Sequence, residues 1–486
     1  MAPPVPPTWR ARSPSPPPPL RPLPIEYEGP DDPLDPQNLP MWKKWCYALS
    51  LGLITLTVTF ASSIFSTATQ AAADEFGVSN EVMTLGTALF IAGFSVGPMI
   101  YGPMLELWGR KRPLFAGHFL FIICQIPVGV AQNVETIMLF RFLGGVTSAG
   151  PLAITSGWFA DFFDPVQRGL ALCVLSGTTL IGPIQGPILG GFMTQSYLGW
   201  RWTAWMTMIL ACLFGLIGLV ILPETYAPIL LTRKARKLRL ETRNWALHSK
   251  HEESALDIGA FITKYLNRPF RMLLLEPILV LITLYMTFIY GLIYLLFEAW
   301  PISFIEQRGY NEGVGALPFI SIGVGVALGS SFVAYITYTR IMANFKKNGY
   351  VIPEDRLYPM MFGAIIFPIG VFWFAWTSFP TINPWPQILA GVPIGAGVQI
   401  IYLQGLAYIV DVYTVNANSA TSANAIVRSI VAAGFVMFAA PMYHNLGVQW
   451  ATSLLAFLGV AFIPVPFLFY IYGAKIRKWS RYSVTT

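Results

Sequence analysis

Apolar runs long enough to cross a membrane recur along the whole chain, and they constrain its fold more than any other feature. A hydrocarbon core of about 30 Å requires roughly 20 mostly apolar residues per helix. We find such runs at twelve places: 46–69, 82–103, 113–131, 135–158, 169–193, 202–222, 277–304, 313–338, 358–378, 385–410, 420–442 and 450–473. Hydrophobic residues make up 55% of the 486 residues and charged residues only 11%, which is more apolar surface than a soluble domain can bury. The runs are continuous rather than alternating, so they favour helices over a transmembrane β-barrel.

Basic residues are distributed unevenly between the loops that join these runs. Of the 31 Lys and Arg residues, 27 fall in segments that a twelve-span chain places on one side of the membrane. The remaining four are Arg141, Arg201, Arg308 and Arg428. By the positive-inside rule the basic side is the cytoplasm, so we expect a multi-pass plasma-membrane protein with both termini cytoplasmic. The net charge of +7 is therefore a topology signal, and the lipid bilayer rather than nucleic acid is the expected surrounding partner.

The spans divide into six and six around a basic central loop. This division predicts an all-α membrane protein with twelve transmembrane helices in two pseudo-symmetric six-helix bundles. Residues 1–40 hold 15 of the 39 prolines, so we expect a disordered, Pro-rich cytoplasmic tail. The basic and partly apolar start of the central loop predicts an amphipathic helix at the membrane surface. The expected segments are a tail 1–44, a first bundle 45–222, a central loop 223–275, a second bundle 276–474 and a cytoplasmic tail 475–486.

The sequence lacks the patterns of a metalloprotein, a membrane-embedded enzyme or an ATP-driven pump. The four cysteines lie in four different predicted spans, and the four histidines are scattered without metal-ligand spacing. An acyltransferase would need a His/Asp or Cys/His constellation near one face, and a pump would need a Gly-rich Lys-Ser/Thr phosphate loop. We therefore expect no enzyme activity, no cofactor and no metal.

The loop between the second and third spans carries the most specific motif. It reads Gly102-Pro-Met-Leu-Glu-Leu-Trp-Gly-Arg-Lys-Arg-Pro-Leu114 and resembles the signature loop of the major facilitator superfamily of secondary transporters. The resemblance implies a conformational latch that holds the first half to the second. The residues assigned to this gating latch are Glu106, Gly109, Arg110 and Asp161. The simpler alternative is that the basic cluster only obeys the positive-inside rule.

The fifth span contains paired Gly-Pro steps. Gly182, Gly186 and Gly190 are spaced four apart, which gives one smooth helix face for close packing. Prolines within a helix free carbonyl groups and permit bending. The stretch resembles the motif that marks antiporters of this superfamily, and the residues concerned are Gly182, Pro183, Gly186, Pro187, Gly190 and Gly191. A plain small-residue packing face is the alternative interpretation.

Two charged residues inside predicted spans are candidates for proton coupling. A charge inside a span is unfavourable unless it faces protein or water, so Arg141 in the fourth span is a functional candidate. Its surroundings, Leu139-Phe-Arg-Phe-Leu-Gly-Gly145, resemble the second motif of the superfamily, which implies a coupling role, whereas a structural ion pair is the alternative. Glu298 in the seventh span is the leading proton acceptor, because it is the only carboxylate well inside a span. A position at the outer interface would make Glu298 unremarkable.

These motifs, together with further segments between residues 35 and 478, resemble the fungal twelve-span drug:proton antiporter branch of the superfamily. That branch implies proton-coupled efflux of a drug, polyamine, toxin, organic acid or secondary metabolite by a monomer. Proton-coupled uptake on the same fold and a non-transporting receptor are the alternatives. Transporter sites lie near the midplane between the halves, and the polar or aromatic candidates there are Gln70, Gln185, Tyr285, Tyr290, Tyr294, Gln399, Tyr402, Gln404 and Arg428.

Overall fold

The computed structural model describes residues 23–29, 31–253, 267–349, 351–478 and 480–482. Helices account for nearly all of the regular structure in these ranges. Two short strands, β1 (Leu23–Pro24) and β2 (Leu247–His248), pair in parallel. The described part of the chain is therefore all-helical apart from one small ribbon outside the apolar runs.

The first half is built from long helices joined by short turns. The helices are α1 (Met41–Ile64), α2 (Thr69–Phe76), α3 (Asn80–Trp108), α4 (Lys111–Gly129), α5 (Val134–Phe162), α6 (Pro165–Gln195) and α7 (Trp202–Ile221). A 3₁₀ turn at Phe65–Ala68 joins α1 and α2 into one span. Polar caps begin several of these helices; for example, the Ser79 and Asn133 side chains accept hydrogen bonds from backbone N–H groups of the first turn.

The central segment and the second half continue with the same architecture. The helices are α8 (Ala227–Thr242), α9 (Lys250–Glu253), α10 (Arg268–Leu275), α11 (Pro277–Pro301), α12 (Glu312–Ala316), α13 (Phe319–Ile336), α14 (Met342–Asn348), α15 (Leu357–Thr377), α16 (Pro384–Leu389), α17 (Gly391–Tyr413), α18 (Ala417–Phe462) and α19 (Pro464–Arg477). One π-helical turn, Ile302–Gln307, extends α11, and another, Thr337–Ile341, joins α13 to α14.

The number of membrane crossings follows from helix length. Among the described residues, eleven helices are long and apolar enough to cross a membrane. The last of them, Ala417–Arg477, has 61 residues, and at 1.5 Å per residue it would be about 90 Å long, roughly three times the hydrocarbon thickness. Gly447, with φ of +74°, breaks the helical geometry and divides this segment into two crossings. The chain is an all-α membrane protein of the predicted class.

Apolar side chains cover both the interior and the surface that faces lipid. On α7, Leu216 and Val220 are 63% and 85% exposed in the isolated chain, as expected for residues whose solvent is hydrocarbon. The largest buried cluster lies mainly in the second half, where it includes Tyr285 and Trp300, and it extends into the first half at Ile91 and Ile184. Several smaller clusters lie mainly in the first half. The apolar packing is therefore continuous between the two halves.

The described part of the N-terminal tail packs against the central segment, which differs from the disorder predicted for residues 1–44. The Lys234 ammonium on α8 lies 2.7 Å from Glu28 and 3.3 Å from Asp32. Backbone N–H groups of Glu28 and Leu34, and then Lys234, hold the pKa of the Asp32 carboxyl below its usual range. These local hydrogen bonds and opposite charges hold the described part of the tail against α8. Residues 1–22 and 30 of the tail, 254–266 of the central loop, and 479 and 483–486 lie outside the described residues.

Candidate functional site

A cavity lies between the two halves. Its empty volume, including the space open to solvent at its mouth, is about 1050 Å³. The lining comes from α1, α3, α5 and α6 of the first half and from α17 and α18 of the second. Its polar and charged members are Thr55, Ser176, Thr179, Tyr402, Asn418, Thr421, Ser422, Asn424, Arg428 and Ser429.

The mouth of the cavity lies toward the end of the molecule that carries most of the basic residues, here called the basic end. Lining residues on α3, Pro98 to Leu105, belong to the last turns before the Arg110 loop. Asn418, at the start of α18, lines the cavity and is exposed. If the basic end is cytoplasmic, as the positive-inside rule predicts, the cavity faces the cytoplasm.

Contacts between α6 and α12 close the opposite end. The Thr194 hydroxyl donates a 2.8 Å hydrogen bond to the Glu312 carboxylate, which joins the two halves. A Cβ added at Gly191 would lie 2.8 Å from the carbonyl oxygen of Glu312, and one added at Gly313 would lie 2.6 Å from the Phe192 ring. Glycine permits this close approach, because any larger residue at either position would collide with the other half.

A second polar contact joins the halves beside the cavity. The Gln399 amide on α17 donates to Ser176 of α6 at 2.5 Å and to Ser330 of α13 at 2.7 Å. Gln399 is fully buried and Ser176 lines the cavity. Gln399 was predicted as a cavity residue, and the structure places it at the contact between the fifth, eighth and tenth spans.

The latch residues of the first half form a compact network at the basic end. The Arg110 guanidinium lies 3.1 Å from Asp161 at the end of α5 and 4.7 Å from the Tyr226 ring centre. Glu224, which follows α7, accepts hydrogen bonds from the backbone N–H groups of Arg110 and Lys111 at 3.0 and 3.1 Å. A negative group at a helix N-terminus is favourable, and here it holds the start of α4.

Gly109 makes this network possible. Its φ of +84° is in the region that favours glycine, and an added Cβ would lie 2.5 Å from the Glu224 carboxylate. Glu106 lies one turn earlier on α3 and is half-buried, while the ion pair itself is formed by Arg110 and Asp161. These contacts join α5 and the α3–α4 turn of the first half to the start of the central loop, whereas the resemblance implied a latch that connects the first half to the second.

The second half has a corresponding network at the same end. Arg356, just before α15, lies 2.9 Å from Asp411 near the end of α17, and Arg477 pairs with Glu354. An Arg in the loop after the second span of each half thus pairs with an Asp at the end of that half's fourth span. A Cβ added at Gly169, near the start of α6, would lie 3.3 Å from the Arg356 guanidinium, so this network also touches the first half.

Arg141 is enclosed within the first half. Its side chain is only 3% exposed, and it donates hydrogen bonds to the carbonyls of Gly86 and Ala61 at 3.1 and 2.9 Å. The guanidinium carbon lies 4.7 and 4.5 Å from the ring centres of Phe65 and Phe90. Among the described residues no carboxylate pairs with it, so the structural ion pair considered from the sequence is absent there. The structure thus links Arg141 to the first and second spans.

Glu298 lies in α11, nearer the opposite end than the cavity. It is half-buried, and within the described ranges no basic group lies within ion-pair distance of its carboxylate. Further along the same span, Glu306 pairs with His444 at 3.0 Å. Glu298 and Arg141 are not in contact, so any coupling between them would act through the helices that separate them.

The glycines of α6 pack against α1 along a matched row of hydroxyl residues. A Cβ added at Gly182, Gly186 or Gly190 would lie 2.1 to 2.2 Å from a hydroxyl oxygen of α1 or the turn after it. The hydroxyls belong to Thr59, Ser63 and Thr67, which are also spaced four apart. Pro183 and Pro187 lie within α6, which remains one helix over Pro165–Gln195.

Several predicted cavity residues lie elsewhere. Gln70 is exposed beyond the end of α1 and hydrogen-bonds Asp74 at 3.0 Å. Gln185 is exposed on the same helix face as Leu189, away from the cavity lining. Tyr285 is buried and stacks on Phe462 within the second half. Their predicted assignment to the cavity is therefore corrected.

The remaining predicted residues lie in or near the cavity. Tyr402 and Arg428 line it directly. Tyr290 stacks with Tyr402 at a ring separation of 6.2 Å, and its hydroxyl lies 3.3 Å from that of Tyr294. Gln404 is buried on α17, and its side-chain oxygen has no hydrogen-bond partner in the described part of the chain.

The family is decided by comparison with known proteins. The sequence profile of the Major Facilitator Superfamily matches residues 51–439, which include most of both halves, the latch residues and the cavity lining. The chain belongs to this superfamily.

Curated relatives show that it is a fungal transporter of the superfamily. The citrinin biosynthesis cluster MFS transporter of Monascus ruber is 54% identical over 94% of this chain and 92% of its own length. The ascochitine biosynthesis cluster MFS transporter of Didymella fabae is 50% identical, with 94% and 89% covered. The cercosporin MFS transporter of Cercospora nicotianae is 47% identical, with 94% and 90% covered.

Solved structures share the fold of this transporter at low sequence identity. The proton:xylose symporter XylE, bound to 6-bromo-6-deoxy-D-glucose, has a TM-score of 0.60 at 15% identity, covering 87% of this chain and 95% of its own. The human organic anion transporter MFSD10 has a TM-score of 0.57 at 15% identity, covering 89% and 100%. These likenesses establish the architecture of the transporter.

Sequence reasoning missed three charged residues that organise the transporter's basic end. Glu224 lies in a loop, and the only feature of the sequence that points to it is its position directly after a span. Arg356 and Glu354 lie in a loop that lacks the Gly-rich pattern of residues 102–114. The two halves share an Arg–Asp pair rather than a Gly-rich loop. A comparison of charged positions between the halves would have found Arg356 and Asp411.

Proposed function

We propose that this transporter exports a small organic molecule, a secondary metabolite, from the cytoplasm in exchange for protons. It would act as a monomer in the plasma membrane, with both termini in the cytoplasm. The observation that carries the proposal is the cavity between the halves, which reaches the surface at the basic end and is closed at the opposite end by Thr194 and Glu312. Such a cavity can take up a solute from one side, and rocking of the two halves would release it on the other.

The relatives support export of a metabolite. Two of those described above are named for biosynthesis clusters, of citrinin and of ascochitine, and a third for cercosporin. A cell that makes such a compound benefits from expelling it. High identity over more than nine-tenths of the chain supports the same class of task for this protein.

Glu298 is the proposed proton acceptor. It is half-buried in an apolar span, and no basic group among the described residues lies within ion-pair distance of it, so its carboxylate can gain or lose a proton without breaking an ion pair. Arg141 stays charged and fixes the first, second and fourth spans to one another through two carbonyls. Protonation of Glu298 would remove a charge beside α18 and bias the two halves toward one of their arrangements.

A transport assay tests the direction and the coupling. The purified chain in proteoliposomes is given citrinin, the compound for whose biosynthesis cluster one relative is named. Citrinin flow is measured with and without an imposed pH gradient. We expect citrinin flow to accelerate at least tenfold when the gradient drives protons in the opposite direction to citrinin. Glu298→Gln should abolish that acceleration. Arg141→Ala should reduce transport with or without a gradient. Glu306→Gln, an exposed carboxylate on the same span, is the matched control and should behave as wild type.

Two outcomes would overturn the proposal. Citrinin flow that is indifferent to the gradient would exclude proton antiport. Flow accelerated only when protons move in the same direction as citrinin would establish the symport alternative on the same fold.

A further inference from the structure

The central cavity carries a positive charge. Among its described lining residues Arg428 is the only one with a permanently charged side chain, and the lining contains no Asp or Glu. The other polar lining groups are hydroxyls and amides. A low-dielectric cavity with one cation in its wall attracts anions and repels cations.

The guanidinium of Arg428 is held in place but is not neutralised. Its carbon lies 4.5 Å from the Tyr290 ring centre and 5.0 Å from that of Tyr402. Its Nε is buried and has no hydrogen-bond partner in the part of the chain that is described. The tyrosines orient the cation, and the Tyr402 hydroxyl is a side-chain hydrogen-bond partner of the guanidinium, but no carboxylate of the cavity lining neutralises it.

Arg428 differs from Arg110, Arg141 and Arg356 in having neither a carboxylate nor a backbone carbonyl as a recorded partner in the described part of the chain. Arg110 and Arg356 each pair with an Asp carboxylate, at 3.1 and 2.9 Å. Arg141 donates to two backbone carbonyls. Burying an unpaired charge is unfavourable, so a counter-ion is missing from Arg428, and its place in the cavity wall makes the solute the natural source of one.

The rest of the lining indicates what the anion is attached to. Tyr402 and Phe94 offer aromatic surface, and Leu105, Leu152, Leu172 and Leu175 offer aliphatic surface. Ser176 and Thr179 on α6 and Thr421 and Ser422 on α18 supply hydroxyls. Aromatic and aliphatic walls with a few hydroxyls suit an aromatic ring system that carries oxygen substituents.

We infer that the cavity binds aromatic organic anions, with a carboxylate or ionised phenol of the solute paired to Arg428 and its ring against Tyr402. The inference deepens the proposed function, since it names the substrate class that would be exported. Its binding step does not depend on transport direction or on protons, and it can be tested separately. A guanidinium binds a carboxylate through two parallel hydrogen bonds, which a neutral amide cannot accept in the same way.

Equilibrium binding to the full-length chain in lipid nanodiscs tests the inference, with 2-naphthoate as probe and 2-naphthamide as its neutral counterpart. We expect 2-naphthoate to bind at least tenfold more tightly than 2-naphthamide. Arg428→Gln should weaken 2-naphthoate at least tenfold and leave 2-naphthamide unchanged. Arg428→Lys keeps the charge but loses the planar fork, so we expect an intermediate loss. Arg112→Gln, the same charge change at an exposed residue of the basic end, is the matched control.

Each outcome has a defined meaning. Equal binding of the two probes, no binding of either, or full 2-naphthoate binding by Arg428→Gln in a chain that retains the wild-type melting temperature would overturn the inference. An Arg428→Gln variant that does not fold leaves the probe comparison and Arg428→Lys to decide. Tight, Arg428-dependent binding without any transport would uphold the inference and refute the export proposal. Proton-driven efflux of a neutral solute that is unchanged in Arg428→Gln would uphold the export proposal and overturn the inference.

Discussion

Buried arginines in this transporter differ in what neutralises them, and that difference separates their tasks. Arg110 and Arg356 pair with carboxylates at the basic end, where they join loops to helix ends. Arg141 binds backbone carbonyls and two phenylalanine rings inside the first half. Arg428 faces the cavity between tyrosines. The sequence alone reveals an intramembrane arginine, but only the partners reveal whether it holds the structure together or awaits a ligand.

Glu224 is the residue on which the first-half network depends. Its carboxylate accepts from the N–H groups of Arg110, Lys111, Thr225 and Tyr226 at 3.0 to 3.1 Å. Hydrogen bonds to a charged group contribute about 1.5–3 kcal/mol each, but they share one carboxylate and are not additive. We expect Glu224→Gln to lower stability by about 2 kcal/mol, visible as a lower melting temperature of the purified chain, and to slow transport several-fold.

Glu241→Gln provides the control for this prediction. Glu241 lies on α8 with its side chain 55% exposed and pairs only loosely with Lys237, at 3.7 Å. Exposed pairs of this kind contribute little, so the melting temperature should stay the same. If both variants melt alike, Glu224 is not a cap of α4.

At the level of elements, α6 is the helix whose surface is most restricted by its neighbour. The row Gly182, Gly186 and Gly190 meets a row of hydroxyls on and just after α1 with no space for a methyl group. We expect Gly186→Ala, whose Cβ would lie 2.1 Å from Ser63 Oγ and 2.8 Å from the Ile64 backbone N, to force α1 and α6 apart. Overpacking of this kind costs about 1–3 kcal/mol, so thermal unfolding should shift down and transport should be lost.

A glycine in open surroundings gives the comparison. Gly434 on α18 has no atom within 4 Å of the position a Cβ would take. Gly434→Ala should therefore leave transport intact and raise stability by up to about 1 kcal/mol through helix propensity. A Gly186→Ala chain as stable and active as Gly434→Ala would show that α1 and α6 are not tightly packed in the membrane.

The all-α membrane fold was predictable from sequence because membrane thickness dictates the length of each apolar run. Which face of a helix meets the cavity was much less predictable. Arg428 and Tyr402 line the cavity, whereas Gln185 faces outward beside Leu189 and Tyr285 stacks on Phe462. Composition of a span does not fix its rotation, because polar residues also occur on lipid-facing and core faces. The order of residues 31–44 was missed because their partners, such as Lys234, are about 200 residues away in the chain.

For the whole molecule, contacts within each half and contacts between the halves have different tasks. Each half is tied internally by an Arg–Asp pair, at Asp161 and at Asp411. The halves meet through polar contacts, which include Thr194 with Glu312 and Gln399 with Ser176, and through packing of α18 on α3 and of α13 on α6. Halves that are each tied internally and meet along helix faces are suited to rocking as units around a cavity.

Charge balance across the membrane leads to a prediction for the whole transport cycle. If one proton enters as one singly charged anion leaves, both movements carry positive charge inward. Each elementary charge crossing 100 mV is worth about 2.3 kcal/mol, so the exchange would gain about 4.6 kcal/mol per 100 mV. A potassium diffusion potential set with valinomycin in proteoliposomes, negative on the side that holds 2-naphthoate, should therefore accelerate its exit even without a pH gradient. An exit rate that does not change with the sign of the potential would establish electroneutral exchange and exclude the transport of an anion against an incoming proton.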